Sequence, residues 1–212
     1  PAWQVARESL IAMGALDKDG GMTDAGLAMQ RLPLPPRLAR LQLAGEEAGC
    51  PAKASALAAI LMERDPLSSR GDADVDARLH WLLEGEGRRN SYWQRQLQRL
   101  SSGQKAEADV PVDTGELLAR AWPDRIAMQD GRHGRYRLAD GQGACLSDGD
   151  PMIRHQGLVM LELQGRKGTD ALCRLAAPFE LSHLAELHPD RVQQHDRVYW
   201  DERLGRVRGI RE

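Results

Sequence analysis

Over the first hundred residues apolar positions recur every three or four places, whereas beyond residue 123 they bunch into short runs bounded by Gly, Asp and Pro. The change of period divides the chain into a helical part and a strand part. "WQVARESLIAMGAL" places Trp3, Val5, Ala6, Leu10, Met13 and Ala15 near one helical face. "DKDGG" then supplies residues tolerant of a tight turn. Thr23 is a good N-cap for a short helix over 24–32, which Pro33 stops. Pro36 stands at the first position of the next helix, 36–48, where a missing N–H costs nothing, and Gly49 ends it. Pro51 opens an Ala-rich helix over 51–64. Asp72 or Asp74 caps a helix carrying Val75, Leu79, Trp81, Leu82 and Leu83, and "RRNSYWQRQLQRL" predicts another over 88–100. The polar, aperiodic stretch 101–112 reads as a linker. Asp113 or Thr114 caps a last helix, 115–121, closed by Pro123.

Five short runs follow, at 125–129, 134–139, 143–147, 158–164 and 172–177. Their length and flanking residues predict strands, and five short strands predict a small closed or nearly closed barrel. "ADGQG" joins the second and third as a hairpin, 180–187 is a short helix, and "RVYWDERLGRVRGI" is a further hairpin with no evident sheet to join. The fold class expected is α+β: a helical bundle followed by a small OB-like barrel.

Composition narrows the function classes. The formal charge of −2, from 29 basic and 31 acidic residues, excludes a strongly basic nucleic-acid binder but leaves room for a local basic face. Cys50, Cys145 and Cys173 are odd in number and far apart, as for buried thiols in a reducing cytoplasm. No apolar run approaches the ~20 residues that cross a bilayer. The abrupt helical opening and the strand-like end read as cuts inside a longer protein.

Catalytic grammar is missing. No phosphate-cradling G-x-x-x-x-G-K-S/T, no G-x-G-x-x-G before a helix and no G-x-S-x-G is present, so no nuclease or hydrolase reading has residues to carry it. His183, His188 and His195 lack metal-ligand spacing and read as surface histidines.

Two basic segments are candidates for binding. Arg88, Arg95 and Arg99 are spaced to share a helical face opposite Trp93, Leu97 and Leu100, with Arg89 and Lys105 nearby. Such a face can hold phosphates, or it can simply be solvated. Arg125, Arg132, Arg135 and Arg137 surround Tyr136 on and beside the loop joining the first two strands. Tyr136 could stack a base, but strand alternation points it away from its neighbouring arginines, so it could equally fill the barrel core. Asp124, Asp130 and Asp140 offset the charge there, which makes any binding weak and salt-sensitive.

The stretch from Leu10 to Leu41, with "GALD", "MT..G..M..LPL" and "PRLARL", resembles the segment just after the motor domains of DEAH-type RNA helicases. The later "PDRIA", "GRYRLADGQGACL" and "AAP" strings resemble the barrel of the HrpB-like bacterial branch, with Trp122 where a tyrosine is expected. Positions 65–112 carry least of the likeness. The resemblance implies the end of a winged helix at 1–35, a ratchet-like bundle at 36–112, an OB-like barrel at 113–189 and the start of a C-terminal extension at 190–212. It further implies a cytoplasmic, monomeric, ATP-dependent RNA helicase. Its RecA-like motor domains would lie upstream in cis and bind ATP and Mg²⁺. This chain would bind no cofactor or metal and would guide single-stranded RNA. The rival expectation is a protein-interaction platform that touches RNA only incidentally, favoured by the near-neutral charge.

Overall fold

The structure, a computed structural model, describes residues 2–101, 110–165, 169–189, 192, 196–201 and 205–211. Most of the expected linker, with Lys105, and also His195 lie outside the described residues. The chain forms two compact units, Pro1–Leu181 and Ser182–Glu212.

In the first unit, α1 (Ala2–Ala12) leads into a tight turn closed by one β-bridge. Leu16 and Met22 pair as an antiparallel bridge, and the Asp17 carboxylate accepts the N–H groups of Asp19 and Gly21 at 2.9 and 2.7 Å. The Thr23 hydroxyl caps α2 (Asp24–Gln30) by accepting Gly26 N–H at 3.0 Å, and donates to the Gly14 carbonyl at 2.6 Å. One side chain thereby closes the turn and starts the helix. Ala15, Met29 and Ala39 form a small core with Leu10, Leu32, Leu34 and Leu43 around it. No residue of α1 is buried, and Trp3 and Val5 stand exposed; the apolar face expected there is engaged only from its middle onward.

Pro36 opens α3 (Pro36–Glu47), and α4 (Pro51–Met62) follows. Every residue of α4 from Ala54 to Ile60 is buried, because α3, α5 and α6 surround it. A helix apolar on all sides belongs at the centre of a bundle. Around it pack α5 (Val75–Leu83), capped by Asp74, and α6 (Ser91–Ser101). The final helix of this unit, α7 (Thr114–Ala121), lies between α3 and the barrel.

The barrel closes in the order β1-β2-β3-β5-β4, from β1 (Ile126–Gln129), β2 (Arg135–Leu138), β3 (Gly143–Cys145), β4 (Gly157–Gln164) and β5 (Ala171–Pro178). All pairs are antiparallel except β3 with β5. The result is a closed five-stranded barrel. Its interior holds Ala127, Tyr136, Leu138, Ala144, Leu158, Met160 and Ala176.

Bundle and barrel are welded. The loop before α5 lies against the edge of β5, where Ala176 N–H donates to the Ala73 carbonyl at 2.6 Å and Ala73 N–H donates to the Asp150 carboxylate at 2.9 Å. The same loop is clamped by Arg78, a side chain only 1% exposed. Arg78 holds Asp65 through two N–H groups at 3.2 and 2.9 Å, Asp72 at 2.6 Å, and the carbonyls of Asp72 and Asp74 at 2.8 and 2.9 Å. On the other side Arg37 of α3 forms a bidentate pair with Asp124 at 2.6 and 3.0 Å, reaches Ser9 of α1 at 3.1 Å, and lies over the Trp122 ring.

The second unit contains α8 (Leu184–Leu187) and a two-stranded sheet of β6 (Asp196–Asp201) and β7 (Arg206–Arg211). Trp200 sits opposite Val207, and both, with Val198, are exposed.

Candidate nucleic-acid interface

The basic segment before the expected linker begins as a helix later than its periodicity predicts. Glu86–Arg89 is a 3-10 turn, and Gly87 lies so close to Trp81 that a Cβ would meet its ring at 2.8 Å. Asn90 then takes the Tyr92 N–H at 3.0 Å and the Trp93 N–H at 3.4 Å, which starts α6 at Ser91. Arg88 therefore does not share the helical face of Arg95 and Arg99; it occupies the preceding turn. Trp93 is buried and meets Trp81 edge-on at 5.5 Å. That anchor turns Arg95 and Arg99 to solvent. Among the described residues Arg88, Arg95 and Arg99 form no ion pair, and Arg99 acts on the Tyr92 phenol that Glu63 holds.

The barrel arginines differ. Arg135 and Arg137 point outward from β2, but Arg135 pairs with Asp170 at 2.6 Å and Arg137 with Asp130 at 3.0 Å. Arg125, at the far end of β1, lies 3.3 Å from Asp124. Burial opposes the charge of Asp124, but Arg37 outweighs it and holds the carboxyl below its usual range. Arg132 is exposed in the turn between β1 and β2 and has no ion pair among the described residues. Tyr136 lies in the barrel interior, 1% exposed, with its hydroxyl donating to the His155 carbonyl at 2.8 Å. Burial, with the nearby Asp150 carboxylate, pushes its phenol up to about 12. No face of that ring is open to stack a base: alternation along β2 sends it inward and the arginines out.

A cleft of about 1140 Å³ lies between α1, the end of α4, the loop clamped by Arg78, and strands β4 and β5. Its lining mixes Arg37, Arg64 and Arg174 with Glu63, Asp65 and Glu162, so it presents no net basic field. Among the described residues no group of three His, Cys, Asp or Glu side chains could hold a metal ion, and no helix is long and apolar enough to cross a membrane.

Two features lie outside what periodicity reports. Arg78 is hidden in a helix whose pattern reads as ordinary amphipathic packing; its only signal is the cluster of aspartates in the preceding loop. Tyr92 reads as part of the apolar face of α6, yet it is 43% exposed, and its hydroxyl donates to Glu63 at 2.5 Å.

No family model matches the chain. The ATP-dependent RNA helicase HrpB of Escherichia coli (strain K12) is 34% identical over 210 residues, covering 97% of this chain and 24% of that protein. The chain is homologous to HrpB. Two solved structures, described as the E. coli DExH-box NTPase HrpB and the Escherichia coli DEAH/RHA helicase HrpB, superpose with TM-scores of 0.77 and 0.77 at 31% and 29% identity. Each is matched over 99% of this chain and 25% of its own length, so the chain spans about a quarter of HrpB. The mixed fold with its closed barrel is thus that of a part of HrpB, and the likeness supports an accessory helicase region.

Proposed function

We propose that this chain is the accessory, RNA-contacting region of an ATP-dependent RNA helicase, guiding single-stranded RNA past motor domains that lie outside these residues. Those RecA-like domains, upstream in cis, supply ATP and Mg²⁺ binding and hydrolysis; this region supplies no catalytic group. The protein works as a cytoplasmic monomer. Within the region, residues 1–35 form the end of a winged helix, 36–112 the ratchet-like bundle, 113–189 the barrel and 190–212 the start of a further domain.

The observation that carries the reading is the homology to HrpB together with the open arginines of the bundle. Arg95 and Arg99 project from a helix fixed by Trp93, with Arg88 in the turn before it. Preset cations on a rigid helix hold phosphates at a register, which suits a wall along which a strand steps. The barrel arginines Arg125, Arg135 and Arg137 have aspartate partners and contribute less; Arg132 is the exception.

The test is the salt dependence of oligonucleotide binding by the full-length protein. Replacing Arg95 and Arg99 with Ala should lower affinity and reduce the slope of log K against log salt by about 1.4, roughly 0.7 per lost phosphate contact. A double variant with wild-type affinity and slope overturns the reading.

A further inference from the structure

We infer that Tyr92 is a base-stacking residue of the bundle, forming with Arg95 and Arg99 a nucleotide subsite in which the ring takes a base and the guanidiniums take the backbone phosphates. The inference rests on the proposed RNA-contacting role and names the aromatic group of that site.

Position comes first. In α6 Tyr92 and Arg99 lie within about 20° of one another around the helix axis, and Arg95 within about 60° of Tyr92. All three are exposed, while Trp93, Leu97 and Leu100 occupy the inner side. The tyrosine thus shares the face that carries the unpaired cations.

Rigidity is the second observation. Trp81, Trp93 and Tyr92 form a chain of edge-to-face contacts through the buried Trp93, at 5.5 and 6.2 Å between ring centres. The outermost ring is also held at its hydroxyl by Glu63, the residue just after α4. A ring fixed at two ends loses little freedom when a base lies on it. An unbuttressed exposed tyrosine lacks that advantage.

Charge adds the phosphate contacts. Arg95 and Arg99 attract a phosphodiester, and Arg99 acts on the same phenol that Glu63 holds. A strand crossing α6 therefore places its backbone toward the arginines and a base over the ring. Glu63, which holds the Tyr92 hydroxyl, also lines the large cleft. Tyr136, which also sits among arginines, is enclosed in the barrel and cannot play this part.

The experiment measures binding of fluorescent oligo-uridine and oligo-adenosine by the full-length protein, with a 2-aminopurine oligonucleotide reporting stacking. Tyr92→Ala should weaken binding about tenfold, the scale of one lost base stack. It should leave the salt slope unchanged and abolish part of the 2-aminopurine quenching. Tyr92→Trp should restore both, and Tyr92→Phe should stay within about twofold of wild type. Thermal unfolding of each variant confirms that the bundle is intact. If Arg95→Ala/Arg99→Ala weakens binding but Tyr92→Ala binds and quenches as wild type, the stacking assignment is overturned and the RNA reading stands. If neither variant weakens binding, both fall.

Discussion

Arg78→Met is the perturbation that most sharply tests how the bundle and barrel are joined. Methionine keeps the apolar stem and removes the guanidinium. The carboxylates of Asp65 and Asp72, only 20% and 11% exposed, then lose the donor between them, and the carbonyls of Asp72 and Asp74 lose their partner. Removing one partner of a buried ionic network costs about 3–5 kcal/mol, because the remaining charges stay desolvated. For a unit of about 180 residues, at about 2–4 °C per kcal/mol, the melting temperature should fall by about 6–20 °C. The pH dependence carries a second signature. Burial disfavours the charged form of Asp72, but hydrogen bonds from Arg70 and Arg78 outweigh it and hold the carboxyl below its ordinary 3.8. A depressed folded-state pKa contributes stability that is present above the unfolded value and is lost as pH falls through the folded one. The gap between wild type and variant should therefore be widest near neutral pH and narrow below about pH 4, as protonation removes the stranded charge. Urea unfolding followed by circular dichroism at pH 7, 5 and 3 measures both effects. A loss below about 1 kcal/mol at pH 7, or a gap unchanged down to pH 3, refutes the clamp.

Three further outcomes follow from the same geometry. Thr23→Ala should cost about 1 kcal/mol by urea unfolding, since it removes the α2 cap along with the bond to Gly14. Gly115→Ala should destabilise by about 2–3 kcal/mol, because a Cβ there would run into the Pro178 carbonyl and lift α7 from β5; differential scanning calorimetry reads the loss. Tyr136→Phe should lower stability by about 1 kcal/mol through the lost bond to His155, yet leave oligonucleotide affinity unchanged, because the ring is interior.

Much of this architecture is legible in local chemistry. Thr23, Pro36, Pro51 and Asp74 announce helix starts because capping and proline preference act within one turn, and each is found where its residue type predicts. The barrel is legible because short runs between Gly and Asp leave few ways to bury five strands. What escapes is long-range. The Asn90 cap and the fit of Gly87 against Trp81 delay α6 by a turn and separate Arg88 from Arg95, which periodicity alone joins. Pairing of Arg135 with Asp170 spans 35 positions, and no spacing rule reports it. For Tyr136 alternation offers both an inward and an outward reading of the strand, and only barrel closure makes the inward side the core. Tyr92 is the converse case: it neighbours Trp93 in sequence, yet Trp93 is buried and Tyr92 stands exposed on the next position around the helix.

The central claim is that these residues touch single-stranded RNA. Photocrosslinking the full-length protein to a 4-thiouridine oligonucleotide, followed by peptide mass spectrometry, tests it most directly. Adducts are predicted in the peptides spanning Tyr92 to Arg99 and Arg132 to Arg137. Adducts confined to regions outside these 212 residues, at saturating RNA, would contradict it.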